Sequence, residues 1–247
     1  MQKKYFYYPS RQNGIALYTI IIFVLLTMLL ALWASRTAIF NELLVSNDAD
    51  YQRAFEASQA LIQDAELDIR GEQSNGSVCQ DDGSDDKICR RNSSITRFPN
   101  EQKEVGPLVT MLDRETYKCS YAICVKRTGK QDFWNNTDST QGPTLAQLAV
   151  NNIGARYGQY TGAKTGAASN PILADRSSAT AGGWYWIEIM PYDANASNSG
   201  LVSNGSTNLG LNLSPNVVYR ITALAYGRKA NSVVVVQQTY AQQRRKD

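Results

Sequence analysis

Four cysteines stand in two close pairs, Cys79 with Cys89 and Cys119 with Cys124. An even number suits disulfides in an oxidising compartment. Four allow three connectivities, and the two local bridges are favoured. A regular strand over 119–124 would set its ends ~16 Å apart, whereas a disulfide needs Cα atoms within about 7 Å. The local bridge therefore requires a loop there, and a strand would require cross-pairing with Cys79 and Cys89. Neither a C-x-x-C spacing nor any histidine accompanies the cysteines, which argues against a redox or metal site.

Asp81, Asp82, Asp85 and Asp86 crowd the first cysteine loop as DDGSDD. Carboxylates around a glycine could hold calcium. Their spacing does not fit an EF-hand loop, and a solvated acidic loop is the preferred reading. The absence of histidine removes the commonest general base. No phosphate-cradling loop, serine triad spacing or paired carboxylates stand out either. These observations point away from an enzyme, with no catalytic residue and no cofactor expected. Trp184 and Trp186 alternate with Tyr185 and Ile187 on one predicted strand. One side of it should be core, and the other is open to a subunit contact.

The remaining chemistry is done to the chain. Residues Ile15 to Ala34 form an apolar run of about 20 residues, enough to cross a bilayer as a helix. A secretory signal ends in small residues at its cut site. No A-x-A pattern follows this run, and a helical pattern continues past Arg36. The expected cut lies before the run, at Gly14, and leaves the apolar segment on the mature protein.

Charge gives the orientation. Lys3, Lys4 and Arg11 precede the span, and Glu42, Asp48 and Asp50 follow it. The positive-inside rule places 1–14 in the cytoplasm and the chain after about 37 across the membrane. Without those three bases, 22 basic residues face 22 acidic ones, so no basic stripe for nucleic acid is expected.

Neither glycine nor proline interrupts Ile15–Arg70. Past the span, Phe40, Leu44, Tyr51, Phe55, Ser58, Ile62, Ala65 and Ile69 recur at helical steps, with Asp64, Glu66 and Asp68 among the residues filling the other sides. The prediction is one long helix, apolar all round at first and on one side later. Residues 71–118 read as irregular. Thr144–Ile153 reads as a short capped helix, ended by Gly154. Strands are predicted at Trp184–Met190, Val217–Tyr226 and Ser232–Tyr240, the last two joined by GRKAN as a hairpin. A polar loop separates the first strand from the second. The fold class is α+β: a long helix whose distal half covers a small antiparallel sheet.

Three segments carry a resemblance to a known family. RQNG before the apolar run resembles a prepilin processing site. SNDADYQRAFEASQALIQDAELDI resembles the N-terminal region of PilX-class minor pilins of type IV pili. ARYGQYTGA (155–163) and YRITALAYGRKANSVVVVQQTY (219–240) resemble segments of the same class. The resemblance covers roughly 10–70 and 155–240.

It implies a pilin-like fold and a low-abundance subunit that starts pilus assembly at the tip, beside other minor pilins, the major pilin and a large adhesin. It also implies that the membrane-bound prepilin peptidase cuts after Gly14 and methylates Ile15. The implied organisation is a leader at 1–14, a transmembrane assembly helix at 15–36 and a periplasmic pilin domain at 37–247. The chain would sit in the inner membrane first and at the outer pilus tip later. Loops 71–135 and 192–216 are the expected recognition surfaces.

Thr19 departs from the shaft pilins, which carry Glu at the fifth mature position. A carboxylate in the bilayer costs about 2.5–3.5 kcal/mol without a partner, and in shaft pilins that partner is a neighbour's N-terminal ammonium. Threonine can bond to its own helix backbone. Thr19 thus marks a capping or initiating position in this reading. The tip pseudopilin of type II secretion also lacks that Glu and is the nearest alternative. A signal-anchored periplasmic enzyme or binding domain is the alternative of another class.

Overall fold

The computed structural model describes residues 15–80, 84–165, 170–191, 213 and 215–242. The chain forms two units, one ending at Ala49 and the other starting at Asp50. Helix α1 (Ile15–Arg70) supplies residues to both. In the first unit every residue from Ile15 to Asp48 is helical and exposed. No glycine or proline breaks α1 until Gly71, which stops it in the left-handed conformation at φ +66°. There the Gly71 N–H donates to the Asp68 carbonyl and the Glu72 N–H to the Leu67 carbonyl. This pair of bonds satisfies carbonyls that a helix end leaves open.

In the second unit α1 buries Asp50, Ala54, Ala57, Ser58, Leu61, Ile62, Asp64, Ala65, Asp68 and Ile69. Of the predicted stripe, Ser58, Ile62, Ala65 and Ile69 are buried as expected, and the rest is corrected. Phe40, Leu44, Tyr51 and Phe55 are exposed, and Asp64 and Asp68 are buried. The reason is size. Ala54, Ala57, Ser58 and Ala65 let the backbone come close to a sheet whose own residues are bulky. Gly183 marks the approach: a Cβ there would lie 2.5 Å from the Leu61 side chain.

Among the described residues the sheet has five strands in the order β1-β2-β3-β4-β5. They are β1 (Cys119–Ser120), β2 (Ile123–Cys124), β3 (Gly183–Pro191), β4 (Val217–Tyr226) and β5 (Val233–Tyr240). The three predicted strands are present and antiparallel, but the sheet is mixed because β2 runs parallel to β3. Tyr121 and Ala122 at φ 50° and 70° form a two-residue turn between β1 and β2. Cys119 therefore faces Cys124 across a hairpin, an arrangement between the loop and the single strand weighed above. Their Cα atoms are 4.0 Å apart and the two are disulfide-bonded; Cys79 and Cys89 are bonded likewise at 5.6 Å.

Within 71–118 the structure contains a helix, α2 (Gln102–Arg114). Gly106 and Pro107 disguise it in the sequence. Val105 and Leu112 are buried, with Leu108 and Val109 packed beside them. The Glu104 carboxylate accepts from the Asn100 and Glu101 N–H groups at its start. The predicted 144–153 helix is shorter, α3 (Leu145–Leu148), and a further short helix, α4, covers Pro171–Ala174.

Both faces of the sheet are covered. Tyr185, Ile187, Ile189 and Ile221 share a core with α1. Trp184, Trp186 and Leu224 share another with Phe133 and Leu148. Trp186 donates to the Leu148 carbonyl at 3.1 Å and Trp184 to that of Ala179 at 2.9 Å. At 3% and 1% exposed, neither tryptophan is available to a subunit or ligand.

Candidate functional site

Over Ile15–Ala34 the first unit offers a predominantly apolar exposed surface. Its helix is long and apolar enough to cross a membrane by length and composition. Ile15 stands exposed at the head of α1, while Gly14 lies outside the described residues. The Thr19 hydroxyl donates to the Ala16 carbonyl at 2.9 Å, and those of Thr27 and Thr37 bond to Val24 and Trp33 in the same way. Each hydroxyl is thus satisfied inside its own helix, as a span in lipid requires.

The second unit holds a polar seam under α1. Asp68 receives Arg90 in two bonds, from Nε at 2.8 Å and Nη2 at 2.6 Å, and the Tyr185 hydroxyl at 3.2 Å. Arg90 also donates to the Thr96 and Tyr121 carbonyls. Its guanidinium lies 3.9 Å from the Tyr160 ring centre. Burial works against charge on Arg90, and the Asp68 carboxylate outweighs it, so its pKa is raised. Cys89 and Arg90 both have left-handed backbones, at φ 57° and 52°. The Cys79 bridge and the Asp68 pair hold these two residues in conformations that ordinary side chains avoid.

One turn earlier, Asp64 accepts from the Gly158 N–H at 2.7 Å and from the Thr161 hydroxyl. Burial dominates and pushes its carboxyl up to about 7, against the lowering effect of those two donors. The donors come from the ARYGQYTGA segment. Gly158 sits at φ +71°, and a Cβ there would fall 2.0 Å from the Ala163 carbonyl oxygen, so only glycine fits this turn. Ala155 pairs with Tyr185 in both directions and ties the segment to the sheet. Arg156 stacks 3.7 Å over Trp184 and donates to the Ala181 and Ser178 carbonyls.

Asp50 anchors the hairpin between β4 and β5. It accepts from the Arg228 and Lys229 N–H groups at 2.9 and 3.1 Å. Burial acts to raise its pKa, but these donors prevail and hold it below the usual carboxylate range. On the far side of the sheet, Glu188 pairs with Arg220 at 2.7 Å and lies 3.7 Å from Arg127.

Every carboxylate of the seam is thus engaged by a donor from the fold, and its chemistry is structural. Sequence reasoning missed Asp50, Asp64, Asp68 and Arg90. The available signal was position: Asp64 and Asp68 are one helical turn apart and next to Ala65 and Ile69 of the apolar stripe. Of the calcium candidates, Asp81 and Asp82 lie outside the described residues. Asp86 faces the Arg91 guanidinium at 3.5 Å.

A family model for the C-terminal part of the type IV pilus assembly protein PilX matches residues 85–242. The chain belongs to the PilX family. The matched region contains β1 to β5, Arg90 and the ARYGQYTGA segment, and it begins after α1. The family assignment and the apolar helix are therefore independent lines toward the same kind of protein. This PilX-family chain is a type IV pilus assembly component that associates with other pilus components. No curated protein and no solved structure matches it.

Proposed function

We propose that the chain is a minor pilin that primes type IV pilus assembly and resides at or near the pilus tip. Prepilin peptidase removes 1–14 after Gly14 and methylates Ile15. The domain then stands in the periplasm, held by the apolar part of α1 in the inner membrane, until α1 packs among the helices of other minor pilins and the major pilin. A large adhesin is the outermost partner. Segment 71–135, which contains α2, β1 and β2, and segment 192–216, most of which lies outside the described residues, contribute to recognition.

Thr19 carries this reading. Its hydroxyl is satisfied by Ala16 within its own helix, so the fifth mature position makes no demand on a neighbouring N-terminus. A subunit with none ahead of it can occupy that place without a stranded carboxylate in lipid. The family match supports a pilus over a secretion apparatus.

Two measurements test the proposal. Mass spectrometry of the membrane-extracted protein should give a mature chain starting at N-methylated Ile15; an intact leader rejects the processing scheme. Immunogold labelling of the chain should mark pilus ends, and labelling spread evenly along the shaft rejects the tip assignment.

A further inference from the structure

The two edges of the sheet differ. β1 is two residues long and tied to β2 by the Cys119–Cys124 bridge, so that edge offers little pairing length. β5 ends the other side with eight residues, VVVVQQTY, and among the described residues pairs with β4 alone. Its register runs from Val233↔Tyr226 to Tyr240↔Tyr219 without a skipped residue, so no bulge turns it away. It contains no charge, proline or glycine. Val233, Gln237, Gln238 and Thr239 are exposed.

In an antiparallel edge strand, alternate residues turn their N–H and C=O away from the partner strand. On β5 these groups have no backbone partner among the described residues. Sheet proteins protect such edges with short strands, charges, proline or bulges, because an open edge is a template for pairing. Among the described residues one edge is protected and the backbone of the other is unpaired, although the Gln238 side chain donates to the Glu66 carboxylate of α1.

We infer that the β5 edge docks an extended segment of another pilus component, which adds a sixth strand to the sheet. The inference rests on family membership and holds whether or not the subunit sits at the tip. A row of main-chain donors and acceptors at strand spacing is satisfied along its length by another extended backbone. The side chains set its composition: apolar β-branched residues opposite Val233–Val236, and polar ones opposite Gln237–Thr239. A second copy of this chain fits less well. Full-length antiparallel self-pairing would set Val234 against Thr239, Val235 against Gln238 and Val236 against Gln237.

Amide hydrogen exchange tests the inference. The full chain is measured alone in detergent micelles, and again in the membrane-extracted assembly isolated from cells through a tag on this chain. The outward-facing half of the β5 amides should exchange at least tenfold more slowly in the assembly, with β4 unchanged. Equal exchange in the two samples overturns the inference. Protection that appears in the chain alone as its concentration rises assigns the edge to a second copy, and also overturns it. The double variant Val233→Lys with Thr239→Lys places charge along the edge at exposed positions. It should keep the melting temperature and lose that protection in the assembly; retained protection overturns the inference.

Discussion

Arg90 grips Asp68 through two parallel bonds of 2.8 and 2.6 Å, and the two side chains are 4% and 2% exposed. This pair joins the disulfide loop to α1 beneath Tyr160 and Tyr185. A buried ion pair is costly to assemble, and removing one partner strands a charge out of water. Arg90→Met should therefore destabilise the domain by about 3–5 kcal/mol. Asp68→Leu combined with Arg90→Met should cost clearly less than either alone. Urea unfolding of the four forms measures this, and strict additivity would remove the pair from the account.

Asp64 gives stability a pH dependence. Its folded pKa is about 7, against an ordinary value of 3.8. The folded state therefore holds a proton that the unfolded state releases, and stability falls as pH rises. The contribution is fully present below about 3.8 and is lost on rising through about 7. The slope from this one group is at most about 1.4 kcal/mol per pH unit. Asp64→Asn should flatten unfolding free energy across that window. An unchanged profile would assign the dependence to other groups.

The Cys79–Cys89 bridge closes a ten-residue loop and holds Arg90 beside Asp68. Replacing both cysteines by serine should cost about 2–3 kcal/mol from loop closure. It should also weaken the coupling between Arg90 and Asp68. The same replacement at Cys119 and Cys124, only five residues apart, should cost less, because the closed loop is shorter. Thermal unfolding of the two double variants gives the order, with peptide mapping under non-reducing conditions to check the pairing.

Gly183 and Leu61 set how near α1 lies to the sheet. Gly183→Ala puts a Cβ 2.5 Å from the Leu61 side chain and 3.0 Å from the Leu224 carbonyl oxygen. Overpacking of this kind costs about 1–3 kcal/mol. Adding Leu61→Ala should recover part of that cost by relieving the first contact, while the backbone contact remains. A double variant no better than the sum of the singles would refute direct contact.

Thr19 can be tested in cells. Thr19→Val removes the hydroxyl that bonds to Ala16 and should leave pilus number unchanged. Thr19→Glu adds a carboxylate that needs a partner in lipid, at about 2.5–3.5 kcal/mol, and should lower pilus number. Unchanged piliation and tip incorporation in Thr19→Glu would count against a special role for this position.

The sequence by itself determined what local patterning can determine. The run Ile15–Ala34 and the break-free stretch to Arg70 specify a helix because nothing in them opposes one before Gly71. The three long strands are legible because β-branched and aromatic residues cluster between turn residues. Periodicity also placed Ser58, Ile62, Ala65 and Ile69 on the inward face of α1, and tertiary structure decided that Asp50, Asp64 and Asp68 are buried with them. Asp68 is buried because Arg90, 22 residues away, arrives to pair with it. Asp64 is buried because Thr161, 97 residues away, donates to it, and Asp50 because a hairpin 178 residues away needs its carboxylate. The same holds for β2, whose parallel alignment with β3 depends on a strand some 60 residues further along the chain. Burial of a charge depends on partners brought by the fold, and no periodicity within a helix encodes where those partners will come from.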